Sequence, residues 1–228
     1  MNESCPMSTT HSAAPVHHVS PTQKAFNVWG IIVAIWAVYR ATIGAQSPIT
    51  FDEFIFKPLL FLWPVLYYIT QHEKKNLTNG LWLKFSHLKR EIIFSLLIIA
   101  PIAVFAGYVV MSGGAVIDWS RIGLIVSLSA MIAITEETLS RGFVARHIYE
   151  ETGGLFKTVF QASILHMFLR IPRIMTMPEL FGNKLMLFFG ADMLMSFALT
   201  IIFLYRKNII PVYIVRFATN VTLLLLLT

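Results

Sequence analysis

Residues 92–117 read IIFSLLIIAPIAVFAGYVVMSGGAVI and carry no charged side chain. A helix rises 1.5 Å per residue, so about 20 residues cross the roughly 30 Å hydrocarbon core of a bilayer, and this stretch is long enough to span one. Further apolar segments lie near 25–44, 54–71, 121–141, 156–170, 185–205 and 208–228. The 228-residue chain is 56% hydrophobic and 13% charged, whereas an ordinary soluble domain is about 25% charged. So few charges cannot build a water-facing surface of normal composition. The expected fold is therefore all-α, a polytopic membrane helix bundle of about seven transmembrane helices, with about six to eight as the range. The same arithmetic excludes a soluble globule, a disordered chain, a disulfide scaffold and a nucleic-acid module. The single cysteine, Cys5, has no internal partner, and the net charge of +6 reads as topology rather than as a nucleic-acid surface.

Residues 1–24 are polar, rich in Pro, Ser, Thr and His and without apolar periodicity, and are expected to form a disordered cytoplasmic tail. His11, His17 and His18 belong to that tail and read as solvated rather than metal-binding. Residues 25–228 are expected to form a single transmembrane helical domain. Its fifth segment is the weakest: Arg170, Pro172 and Arg173 are expected to end it sharply and leave it tilted or partly inserted. Pro58, Pro64, Pro101 and Pro211 are expected to kink membrane helices without breaking them. Orientation follows from the 18 lysines and arginines. With the N-terminus inside, Lys24, the group Lys74, Lys75, Lys84, Lys89 and Arg90, then Arg141, Arg146, Lys157, Arg206 and Lys207 all fall on the inner side. Fewer, including Arg40, Lys57, Arg170 and Arg173, fall outside. A cytoplasmic N-terminus is the expectation.

Ionisable groups inside a span cost at least about 2.5–3.5 kcal/mol each on insertion scales, so each needs a reason. The candidates are Glu136 and Glu137 in the fourth segment, His166 in the fifth, Asp192 in the sixth, and Arg216 with Asn220 in the seventh. Counting from Arg121 places Glu136 about 22 Å along its helix, roughly 8 Å short of the inner boundary. His166 and Arg216 come out roughly 13 Å from the inner side and Asn220 near 20 Å. These four can meet in one bundle. Asp192 comes out roughly 21 Å from the inner side and is expected to stay apart unless a tilt or Asn220 brings it in.

Adjacent residues on a helix are turned about 100° apart, so Glu136 and Glu137 do not share one proton. Glu137 precedes Arg141 by four residues in the favoured ion-pair order, whereas Glu136 shares its face with Ser140. Glu137 is thus expected to be structural, paired to Arg141, and Glu136 free to face a cavity. Arg216 and Asn220, also four apart, present a cation and an amide toward one spot. Amide hydrolysis suits this set: a carboxylate takes a proton from water, an imidazole holds or relays another, and fixed donors receive the developing oxyanion. The bland alternative is that these groups tie helices together.

The segment Glu136-Glu137-Thr-Leu-Ser-Arg141-Gly142-Phe143, EExxxRGF, resembles the first motif of the CAAX prenyl endopeptidase and bacteriocin-processing family, also called the abortive-infection family, of intramembrane proteases. His166, in Ala162-Ser-Ile-Leu-His166, stands where the family has its second motif FxxxH, and Asn220, in Arg216-Phe-Ala-Thr-Asn220, where it has its third, HxxxN. The resemblance covers roughly residues 121–228, the family-like catalytic core. Ala162 replaces the family phenylalanine and Arg216 the third-motif histidine. The resemblance implies that Glu136 is the base, His166 its partner and Asn220 an oxyanion donor. Arg216, always charged and rich in donors, can serve in the histidine's place.

One buried histidine and no HExxH pair make a three-ligand zinc site hard to assemble. No cofactor is expected, with a divalent cation as the alternative. The chain thus reads as a hydrolase, a multi-pass intramembrane endopeptidase of CAAX type, whose partners are the lipid bilayer and a peptide or membrane-anchored protein substrate. Two competing readings stand beside it. One is a non-catalytic family member that binds a peptide or confers bacteriocin immunity, favoured by Arg216. The other is a transporter or proton pathway built on the intramembrane charges, though no repeat or paired broken helices support it.

Overall fold

The computed structural model describes residues 20–44, 46–112, 119–175 and 182–227. Cys5, His11, His17 and His18 lie outside them. Among the described residues there is no strand, and all seven apolar segments are helical. The helices are α1 (Pro21–Gly44), α2 (49–72), a short α3 (Leu77–Gly80), α4 (Leu88–Met111), α5 (Ile122–Thr152), α6 (Leu155–Ile174), α7 (Asn183–Arg206) and α8 (Ile210–Leu227). Among the described residues, α1, α4, α5 and the stretch Leu185–Arg206 of α7 are long and apolar enough to cross a membrane, and the apolar part of α8 is shorter.

Three boundaries differ from expectation for local reasons. Helix α1 begins at Pro21, inside the expected tail, because Ser20 caps it by accepting from Gln23 N at 3.1 Å and proline at the first helical position needs no N–H partner. Helix α6 does not stop at Arg170; it runs through Pro172 to Ile174, because both arginines turn inward onto acids. At the other end of the preceding helix, α5 continues past Arg141 to Thr152. It stops where Gly153 takes φ +64 and donates to Tyr149 O at 2.9 Å.

One end of the bundle is stitched by polar contacts that show which helix ends share a side. Thr22 Oγ1 donates to His147 O (3.0 Å) and Thr22 N to Glu151 (3.0 Å). Arg146 pairs with Glu73 at 2.5 Å, Arg206 with Glu91 at 2.6 Å, and Asn208 bridges both backbone groups of Lys84. The start of α1, the end of α2, the start of α4, the end of α5 and the α7–α8 turn therefore lie together, which is the alternation that successive crossings require.

The core is formed by one face of each inner helix: Ile32 and Trp36 of α1, Phe61, Val65 and Ile69 of α2, Leu139 and Phe143 of α5, Leu199 and Phe203 of α7, and Val212 and Val215 of α8. The four-residue steps in α2 are the spacing of a single helical face. Outward, Leu97, Val104, Phe105 and Tyr108 of α4, Leu194 of α7 and Trp63 of α2 are exposed. Helix α4 buries only Glu91 and Ser95 and leans on α8. An apolar exterior around buried charge is the distribution a bilayer selects.

Candidate active site

Three helices present the motif residues. In α5, the turns following Glu137 widen: residues Thr138–Ala145 bond in the i→i+5 manner, and Arg146 N donates to Arg141 O. Similar π-helical turns end α1 and run through much of α2, so the widening shapes the site without by itself marking it. The widened stretch covers the rest of the first motif and turns Ser140 and Arg141 toward α6 and α7.

Glu137 pairs with Arg141 at 2.8 Å with both side chains wholly buried, as the i,i+4 spacing predicts. Arg141 also donates to Ser196 Oγ (2.5 Å), Ser196 O (3.1 Å) and Thr200 Oγ1 (3.3 Å) on α7, and to His166 Nδ1 (3.0 Å) on α6. A guanidinium only donates, and Arg141 is nearer to Nδ1 (3.0 Å) than Arg216 is to Nε2 (3.5 Å), so Nδ1 of His166 is assigned as the acceptor and the ring proton of the neutral imidazole is placed on Nε2. That nitrogen faces Arg216 NH2 at 3.5 Å and Asp192 Oδ2 at 4.0 Å. Ser140 Oγ, 2.9 Å from Nδ1, completes the seat of the ring. His166 is thereby set as an N–H donor on the side that faces Arg216 and Asp192.

Glu136 is not free. Its Oε1 accepts from Lys57 Nζ of α2 at 2.9 Å, and its Oε2 lies 3.5 Å from Arg170 Nε and 3.6 Å from Arg216 NH2 without making a hydrogen bond. The sequence alone left this carboxylate facing a cavity; instead three cations from three other helices converge on it. Isolated burial of a carboxylate in such surroundings is prohibitive, so its neighbours must be charged.

Arg216 reaches four groups: Glu136, His166, Asp192 (3.2 Å) and Glu137 (3.5 Å). Asp192 therefore belongs to the cluster, contrary to the depth count. It pairs with Arg170 as well as Arg216, because the long arginine side chains span the difference in depth that a count of helical rise imposes. Asn220, one turn beyond Arg216 on α8, is buried, and its Nδ2 has no hydrogen-bond partner among the described residues. The structure thus links Glu136 and His166 through Arg216, which meets both, and leaves Asn220 Nδ2 as an unpaired buried donor on the same helix face as Arg216.

Sequence reasoning missed Lys57, Glu53, Arg170 and Arg173 as site residues. Glu53 Oε1 accepts from Lys57 at 2.8 Å and from Arg173 at 2.6 Å. The 53/57 pair at i,i+4 inside an apolar segment was the available signal for two of them. Among the described residues, no group of three His, Cys, Asp or Glu is placed to hold a metal ion.

A helical membrane bundle with a buried ionic centre on α5, α6 and α8 defines the class: an integral membrane protein with a polar site between its spans. Residues 118–222, just under half of the chain, match the family described as Type II CAAX prenyl endopeptidase Rce1-like. The resemblance read from the three motifs is thus shown over the helices that carry them, and the match supports an endopeptidase kind of activity acting on a peptide or protein substrate in a membrane. No curated protein and no solved structure matches the chain.

Proposed function

We propose that the protein is an intramembrane peptidase that hydrolyses a peptide bond of a membrane-anchored protein or peptide, with Glu136 as general base. The observation that carries this reading is that Arg216 of α8 meets both Glu136 of α5 at 3.6 Å and His166 of α6 at 3.5 Å, in the segment that matches an endopeptidase family.

The surrounding cations keep Glu136 ionised, the state a base needs. Its Oε2 takes a proton from water as the water oxygen attacks the scissile carbonyl. The Asn220 amide, unpaired in the resting protein, donates to the oxyanion, with the positive charge of Arg216 beside it. His166, with its Nε2 proton, orients the attacking water. Collapse of the tetrahedral intermediate breaks the C–N bond, and protonated Glu136 returns its proton to the leaving nitrogen, giving a new carboxyl and a new amine. No metal is needed in this scheme, and the crowding of Lys57, Arg170 and Arg216 around the carboxylates disfavours a cation there. Residues 25–228 act as one transmembrane domain with a cytoplasmic N-terminus. The burial of Lys57 and Arg40 within the bundle supports that orientation, because it removes them from the outer-loop charge.

Cleavage of a panel of membrane-anchored peptides, with and without a prenyl group, in water enriched in heavy oxygen tests this reading. The expected product carries one heavy oxygen in its new carboxyl and forms equally well in the presence of a chelator. A second reading, a non-catalytic peptide-binding or immunity protein, is favoured by the ion pairs that already occupy Glu136. Its signature is full biological function in a Glu136→Gln variant with no cleavage of any peptide in the panel.

A further inference from the structure

Lys57 stands outside the matched segment, 79 residues from Glu136 in sequence, yet it makes the shortest contact to the proposed base. Its side chain is 2% exposed. Its ammonium has two oxygens to donate to, Glu53 Oε1 at 2.8 Å and Glu136 Oε1 at 2.9 Å, and lies 5.5 Å from the centroid of the Trp36 ring. The seat is built rather than incidental. Trp36 stacks on Tyr39 and meets Phe61 edge-on at 5.6 Å, and Glu53 is itself fixed by Arg173 from α6. A buried ammonium without both carboxylates would be severely penalised, so its position is determined from three sides.

The two oxygens of Glu136 are consequently unequal. Oε1 is engaged by a direct hydrogen bond. Oε2 has only ion-pair neighbours, Arg170 and Arg216, and no hydrogen bond. We infer that Lys57 is a positioning residue of the site: by pinning Oε1 it fixes the carboxylate plane and leaves Oε2 as the oxygen that meets water or substrate. Helix α2 thereby becomes part of the active centre, and the site is incomplete in the motif-bearing helices alone. The inference rests on the peptidase reading for its catalytic meaning, while the asymmetry of the carboxylate is a property of the resting protein.

Two readouts test it. Infrared difference spectra of the purified full chain, wild type minus Glu136→Gln, isolate the carboxylate stretching bands of Glu136 without substrate. The same difference taken in a Lys57→Met background is expected to show shifted bands, and in a Lys57→Arg background bands close to those of the wild type. In cleavage, Lys57→Met is expected to lower kcat by about 10- to 100-fold with KM little changed, and Lys57→Arg to restore most of the rate. Should Lys57→Met not yield folded protein, Lys57→Gln, which keeps a donor without the charge, takes its place in both measurements, with bands shifted less than a lost bond would give but still resolved from the wild type. Unchanged Glu136 bands without the lysine, or a KM effect with kcat intact, overturns the inference. The failure of the peptidase reading looks different: there the wild type cleaves no peptide of the panel, or Glu136→Gln still cleaves, whatever the spectra show.

Discussion

Two buried or half-buried ionic clusters hold this bundle, and they differ in their access to solvent. At the stitched end, Glu73 of the α2 terminus takes Arg146 at 2.5 Å and His147 Nε2 at 3.0 Å, with Lys75 at 3.1 Å from its other oxygen. His147 Nδ1 donates to Phe143 O at 2.7 Å. Lys75 and Glu150 are partly open to solvent. At mid-depth, Lys57, Glu136, Arg170, Asp192, Arg216, Glu137 and Arg141 form a continuous chain of ion pairs across five helices. Even so, Glu136 Oε2 and Asn220 Nδ2 make no hydrogen bond among the described residues. The end cluster ties helix termini and reaches solvent through Lys75 and Glu150, although Glu73 Oε2 and Arg146 Nε and NH1 also lack a hydrogen bond among the described residues. The central one holds charge at depth, where solvation is poorest, and keeps polar atoms in reserve. Buried polar groups left unpaired in this way need a reason, and a reacting substrate supplies one.

The contrast predicts a graded series. His166→Ala is expected to lower cleavage by about 10²–10⁴-fold, the usual worth of a positioned proton-handling group. The other buried histidine, His147→Ala, should leave the rate within a few-fold, and equal losses from the two would erase the distinction. Arg216→Met strands Glu136, Glu137 and Asp192 with one cation fewer, and thermal or denaturant unfolding in detergent should register a loss of about 3–5 kcal/mol, as for other broken buried pairs. Gly80→Ala comes next. A Cβ there would lie 2.2 Å from Ile69 Cγ2, and the overpacking is worth about 1–3 kcal/mol. At Gly142 of the first motif, the new atom would meet only the mobile ends of Ile209 and Leu81 at 2.9 and 3.0 Å, so Gly142→Ala should cost less.

The smallest effect belongs to Glu73. Burial pushes its carboxyl up, but the His147 hydrogen bond, the Arg146 guanidinium and Lys75 outweigh it and hold it at about 2. A depressed carboxyl contributes stability that is fully present above its ordinary value of 4.5 and is lost as pH falls toward about 2. Melting curves between those limits should show the decline, and Glu73→Gln should flatten it while costing about 1 kcal/mol or less near neutrality.

How far the sequence carried depends on which interactions are local. The apolar segments are all helical because length and composition decide that, and the Glu137–Arg141 pair was readable from its spacing. Glu136, His166 and Arg216 were brought together by motif order and by counting helical rise. Lys57, Arg170 and Arg173 were not legible as site residues, because a charge near the end of an apolar segment has the same appearance whether it faces a loop or a distant carboxylate. Asp192 was misplaced for a related reason: helical rise locates Cα atoms, and arginine side chains bridge the remaining distance. Arg170 and Arg173 did leave a trace, since α6 carries no acid of its own to balance them and their partners had to come from other helices.

The central claim is that the mid-depth cluster performs hydrolysis while the end cluster only holds helices together. Parallel cleavage assays of Glu136→Gln and Glu73→Gln, each first shown to be folded in detergent, test it most directly. The account predicts that Glu136→Gln loses at least about 100-fold in kcat/KM and that Glu73→Gln stays within a few-fold of the wild type. Wild-type cleavage by Glu136→Gln would contradict it.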